Sequence, residues 1–186
     1  MFIMDNTFTQ SELKWYISNL VKRHWFFLGD NPDDQTIDET RSLGITKDVQ
    51  PDFDELDYFL IDRLNKVLSY NFDPAKMRII KNCFRFGDIP EWHTDSDYKQ
   101  TPSFLFFMNH EWKWWWGSGL LIQEKFRKRK VRPKPGRLLA FDGSKRHKAI
   151  PPNLLYRGCG RFSVVIQYQE STPLLEKRGD KLVSLL

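Results

Sequence analysis

A chain of 186 residues with 40% hydrophobic and 15% aromatic side chains is long enough and apolar enough to bury a core as one domain. Two cysteines exclude a disulfide framework, and a formal net charge of +5 permits acidic or nucleic-acid partners without demanding them. The N-terminus carries an early acid and no basic stretch before an apolar run, and no apolar run approaches about 18 residues; the expectation is no signal peptide, no membrane span and a cytoplasmic protein.

Residues 2–8 open as a short strand. Thr9-Gln-Ser-Glu12 fits a capping box, and Leu13, Tyr16, Ile17, Leu20 and Val21 recur at helical spacing to about Lys22. Residues 24–50 read as polar and irregular, apart from an apolar island at Trp25-Phe-Phe-Leu28. A second helix is predicted to start with Asp52 as N-cap and Glu55 at N3; Leu56, Phe59, Leu60, Leu64, Val67 and Leu68 form its apolar stripe. From Met77 the pattern changes to short strands, at about 77–86, 91–96, 103–109, 119–124, 137–141, 145–149 and 161–169. Helices followed by strands predict an α+β, mainly β molecule with helices packed on an antiparallel sheet. The expected organisation of 1–186 is a single domain: a helical buttress over 1–75, a β core over 76–170 and a C-terminal tail over 171–186. Cys83, in an apolar strand pattern, reads as a small core residue.

His93-Thr-Asp95 is followed by His147, 52 residues after the aspartate, and by Arg161, 14 residues later. His-x-Asp on a strand turns both side chains to one face. Two imidazoles and one carboxylate on one face of a metal, with the remaining positions open, is the ligand set of non-haem Fe(II) oxygenases. Each residue also has a plainer reading: His93 as a core histidine, His147 as a surface histidine between Arg146 and Lys148. Arg161 and Ser163 alternate onto one face of a strand whose continuation, Phe-Ser-Val-Val-Ile, is apolar; a buried guanidinium there needs an anion.

The run from Cys83-Phe-Arg-Phe-Gly-Asp-Ile-Pro-Glu-Trp-His-Thr-Asp95, through Phe104-Leu-Phe-Phe-Met-Asn109, Gly117-Ser-Gly-Leu-Leu-Ile122, Pro133-Lys-Pro-Gly-Arg-Leu-Leu-Ala-Phe-Asp142 and Arg146-His-Lys-Ala-Ile-Pro151, to Arg161-Phe-Ser-Val-Val-Ile-Gln-Tyr168, resembles the Fe(II)/2-oxoglutarate-dependent dioxygenases, most closely their prolyl 4-hydroxylase-like branch. The resemblance spans about residues 78–168. It implies a double-stranded β-helix, the distorted jelly roll. It implies His93, Asp95 and His147 as Fe(II) ligands, and Arg161 with Ser163 as the grip on the distal carboxylate of 2-oxoglutarate. Dioxygen is then the second co-substrate, and ascorbate an admissible reductant. Two departures stand out. Arg161 takes the place where relatives often carry Lys, after a longer loop over residues 149–160. Phe84 takes a place where relatives often carry a tyrosine whose hydroxyl touches the co-substrate. Asp95 itself, retained rather than replaced by a small residue, implies hydroxylation rather than halogenation.

The substrate is left open. A peptide or protein side chain follows from the resemblance. The tryptophans among residues 112–116 can stack on bases, on a proline ring or on the sheet. The basic run from Lys125 to Arg137 is a solvated face or a nucleic-acid patch. A jelly-roll binding module without turnover is the reading from outside the enzymes.

Overall fold

The computed structural model describes residues 1–22, 44–49 (backbone only), 53–156, 158 and 160–170. Strand β1 (Phe2–Met4) leads into helix α1 (Gln10–Leu20); strand β2 (Gly44–Val49) precedes helix α2 (Glu55–Leu68). Seven strands follow: β3 (Met77–Phe84), β4 (Pro102–Phe107), β5 (Gly117–Gln123), β6 (Lys128–Val131), β7 (Arg137–Asp142), β8 (His147–Pro152) and β9 (Arg161–Tyr168). They form two antiparallel sheets, a large one in the order β1-β7-β4-β9-β3-β2 and a small one in the order β6-β5-β8. The fold is the expected α+β, mainly β jelly roll with its helices on one sheet.

Local chemistry explains the helix boundaries. Thr9 accepts the Glu12 amide at 3.2 Å while Glu12 accepts the Thr9 amide at 2.7 Å, closing the predicted capping box. The second helix starts two residues later than the sequence suggests: Asp54, not Asp52, is its N-cap, and Asp57 rather than Glu55 completes the box. Carboxylates at both spacings made the two registers equivalent in sequence; the pairing of Asp57 with the sheet distinguishes them. Asp52 itself and the island at Trp25 lie outside the described residues, as does the 171–186 tail.

Strand alternation divides the large sheet into two faces. Met77, Ile79 and Cys83 of β3 and Phe162, Val164, Ile166 and Tyr168 of β9 pack with Leu13, Tyr16, Leu20, Leu56, Leu60 and Leu64 of the helices. On the opposite face Leu105, Phe107, Leu139 and Phe141 meet Leu120, Ile122 and Val131 of the small sheet. The second face of β3 and β9 carries the functional side chains. Two elements depart from the sequence reading. The region read as irregular contains β2, an edge strand on β3. The predicted buttress therefore supplies both edge strands of the large sheet as well as its helices. Part of the basic run is β6, paired with β5.

Candidate metal centre and anion pocket

The 91–96 segment is not a strand. It is a single bridge, in which His93 N–H and His147 N–H each donate to the other's carbonyl at 2.9 Å. Asp95 N–H then donates to the Gly143 carbonyl at 2.8 Å. A Cβ at Gly143 would lie 2.6 Å from Ser103 Oγ and 3.2 Å from Asp95 Cβ, so only glycine admits this approach. The bridge sets His93 beside His147, with ring centroids 4.4 Å apart.

His93, Asp95 and His147 present ligand atoms that all lie within 4.8 Å of one another. Asp95 Oδ1 is 3.4 Å from His147 Nε2 and 3.8 Å from His93 Nε2. Each imidazole faces a carbonyl through Nδ1, that of Glu91 at 3.1 Å for His93 and that of Lys145 at 2.8 Å for His147. A carbonyl only accepts, so Nδ1 carries the hydrogen and the Nε2 lone pairs converge. Asp95 Oδ2 is buried without a hydrogen-bond partner. Two inward-facing imidazole nitrogens, a carboxylate and an unsatisfied oxygen fit a divalent transition metal such as Fe(II). Burial opposes ionisation of Asp95, yet the hydrogen bond and charge of His147 hold its pKa below the usual value. Burial likewise opposes protonation of His147, and the Asp95 carboxylate outweighs it and raises the pKa. His147 is buried while the His93 side chain is 54% exposed, so the cluster is open on the His93 side.

These residues line a cavity of about 460 Å³ whose floor is the free face of β3, β9 and β4. The register lays that floor out in rows. Phe84 pairs with Arg161 and Asn82 with Ser163 at one end; Ile80, Val165 and Leu105 form an apolar middle; Arg78, Gln167 and Ser103 form the other end. Arg161 is fully buried. It donates through Nη1 to Ser163 Oγ at 2.9 Å, leaning along the strand, while Nε and Nη2 have no partner. Desolvation pushes its pKa down to about 10. The guanidinium lies over the Phe84 ring, 4.7 Å from its centroid. Asn109 fixes the entry to β9 by donating to the Gly160 carbonyl at 3.0 Å and accepting the Phe162 amide at 2.7 Å. A buried fork with two unspent nitrogens is a site for an oxyanion, and a carboxylate fills it in two bonds.

All five residues singled out in the sequence therefore meet at one cavity. Sequence reasoning missed Gly143, Asn82, Asn109 and Gln167. Strand alternation could have found Gln167, which shares a face with Arg161 and Ser163. It also missed a second chamber of about 360 Å³ that shares Arg78, Asp95 and Gln167 with the first. The tryptophans divide: Trp112 and Trp116 pack on each other and on Tyr156, whereas Trp114 and Trp115 are exposed. Much of the basic run is internally paired. Arg137 and Lys134 bind Asp5, Arg127 and Arg129 flank Glu124, and Lys128 lies over Trp92. Among the described residues no helix is long and apolar enough to cross a membrane.

No protein-family model and no curated protein matches the sequence. Solved structures do match in shape, and they define a class: the chain has the fold of the prolyl hydroxylases and 2OG-Fe(II) oxygenases. A Pseudomonas putida prolyl-4-hydroxylase superposes with TM-score 0.68 at 16% identity, over 91% of this chain and 92% of that one. A Trichoplax adhaerens prolyl hydroxylase, in complex with a hypoxia inducible factor oxygen degradation domain peptide fragment, gives 0.64 at 15%, over 90% and 82%. A Burkholderia pseudomallei oxidoreductase of the 2OG-Fe(II) oxygenase family gives 0.60 at 10%, over 91% and 87%.

Proposed function

We propose that this protein is an Fe(II)/2-oxoglutarate-dependent dioxygenase that hydroxylates a prolyl or other peptide side chain. The observation that carries the reading is the pairing of two unmet demands in one cavity: three convergent ligand atoms at one end and a buried guanidinium with two free nitrogens at the other. In this reading His93, Asp95 and His147 hold Fe(II), and Arg161 with Ser163 binds the distal carboxylate of 2-oxoglutarate. The row Ile80, Val165 and Leu105 gives its methylenes an apolar floor. The bound metal supplies dioxygen activation coupled to oxidative decarboxylation of 2-oxoglutarate to succinate and CO2. The protein supplies position and shielding. The Nδ1 bonds fix the tautomer of both imidazoles and aim their Nε2 atoms inward, burial of Arg161 strengthens its hold on the carboxylate, and the exposed His93 side admits the substrate. A peptide substrate is supported by the fold shared with a prolyl hydroxylase that holds a peptide.

The test is succinate release from 2-oxoglutarate with purified protein, with and without Fe(II), screened against prolyl-containing peptides. Release that requires Fe(II), rises with a peptide and disappears in His93→Ala supports the reading. No iron-dependent release under any condition contradicts it.

A further inference from the structure

The carboxylate of the metal triad is not oriented by its own strand, because the 93–95 segment makes only a bridge. Its backbone is held by the hydrogen bond from its amide to the Gly143 carbonyl, which leaves the side-chain torsions, of which χ2 is broad and roughly two-fold. Gln167 acts on that rotation. Its Nε2 donates to Asp95 Oδ1 at 2.7 Å, and a carboxylate oxygen can only accept, so the NH2 end of the amide must face Asp95. Oδ1 is also the oxygen on which both Nε2 atoms converge, at 3.4 and 3.8 Å, whereas Oδ2 has no hydrogen bond.

Gln167 itself stands on a rigid platform. It is the penultimate residue of β9, paired with Arg78 of β3 on one side and Ser103 of β4 on the other. Its side chain sits in the wall shared by the two chambers, so it reaches Asp95 across the boundary between them. One strand thus carries both functional ends of the cavity on one face, Arg161 for the anion and Gln167 for the metal carboxylate.

We propose that Gln167 is a positioning residue for the metal site: its amide selects which oxygen of Asp95 faces the two imidazoles and holds it there. The inference rests on the metal-binding reading given above, and it deepens that reading by adding a residue that acts on the metal only through its bond to Asp95.

The test is titration of the metal-free protein with Co(II) under argon, read by calorimetry and by the cobalt d–d spectrum, in wild type, Gln167→Met and His147→Ala. Methionine keeps the length and removes the donor; Gln167→Leu serves the same purpose if the first variant folds poorly. The expected result is Co(II) affinity about 10–100-fold weaker in Gln167→Met with an altered d–d spectrum, the scale seen for outer-shell partners of metal ligands. Melting of the metal-free protein should be nearly unchanged, which a merely structural amide would not give. Wild-type affinity and spectrum in Gln167→Met, with binding lost in His147→Ala, overturns the role of Gln167 alone. Absence of Co(II) binding in wild type overturns the metal site, and this inference with it.

Discussion

At the scale of single residues, Arg161 is held in a state that costs stability in the empty protein. A fully buried cation whose Nε and Nη2 lack partners is an uncompensated desolvation, and the lowering of its pKa to about 10 is the same effect seen through its proton. Replacing such a charge by an apolar group removes that desolvation cost. Arg161→Leu is therefore expected to melt no lower than wild type without ligand; 2-oxoglutarate is expected to raise the melting temperature of wild type and not that of the variant. Melting curves with and without 2-oxoglutarate check both; a variant that melts far lower and still responds would contradict the assignment. This residue was legible in sequence because its chemistry conflicts with its context: an arginine heading an apolar strand asks for an anion. His93, Asp95 and His147 were legible for a similar reason, their types and order. Alternation puts Gln167 on the face of Arg161 and Ser163, but not beside Asp95, because an amide near the end of a strand makes no demand until a distant carboxylate is placed next to it. Gly143 was silent likewise, since the approach that requires it joins segments far apart in sequence.

At the scale of elements, α2 is tied to the sheet by charge as well as by its apolar stripe. Lys81 of β3 points to the helix side, where it is buried in an ion pair with the buried Asp57 and lies 3.6 Å from Asp54. Burial raises the Asp57 pKa despite its bond to Lys81. Removing one partner strands the other: Lys81→Met is expected to cost about 3–5 kcal/mol, and the double variant Lys81→Met/Asp57→Leu much less, because no buried charge remains. Urea unfolding of the two variants and wild type decides this; a double variant as unstable as the single one would contradict it. At the other helix, Thr9→Ala should cost about 0.5–2 kcal/mol through loss of the capping box, again read by urea unfolding. The same pair explains what sequence could and could not place. The stripes of α1 and α2 and the alternation of β3 were readable because one face of each is buried, and the apolar runs of β4, β7 and β9 because both of their faces are. The start of α2 was misread by two residues, because competing acids offered two capping registers and the contact with Lys81 is tertiary. Strands β2 and β6 were missed because each is an edge strand with a largely polar sequence, Gly-Ile-Thr-Lys-Asp-Val and Lys-Arg-Lys-Val, and pairs through its backbone with little apolar pattern to read.

At the scale of the whole molecule, β1 closes one edge of the large sheet, and Asp5 fastens it. Arg137 grips both Asp5 oxygens, at 2.6 and 3.0 Å, and Lys134 adds a bond at 2.9 Å. The hydrogen bond from Arg137, chiefly, lowers the Asp5 pKa from 3.8 to about 2. A depressed carboxylate pKa adds stability that is fully present above the unfolded value and is lost as pH falls towards the folded value. The gap in unfolding midpoint between wild type and Asp5→Asn should thus be constant above about pH 5 and shrink as pH falls towards 2; a gap independent of pH would contradict it. The same assembly gives the cavity its form, with helices behind the large sheet, the small sheet in front, and the free face of β3, β9 and β4 between them. The central claim is that this face joins a metal to a dicarboxylate. Its most direct measurement is the visible absorption of the protein mixed anaerobically with Fe(II) and 2-oxoglutarate. The account predicts a band that neither additive produces alone, absent from His147→Ala and weakened in Arg161→Leu. No band in wild type, or an equal band in His147→Ala, would contradict it.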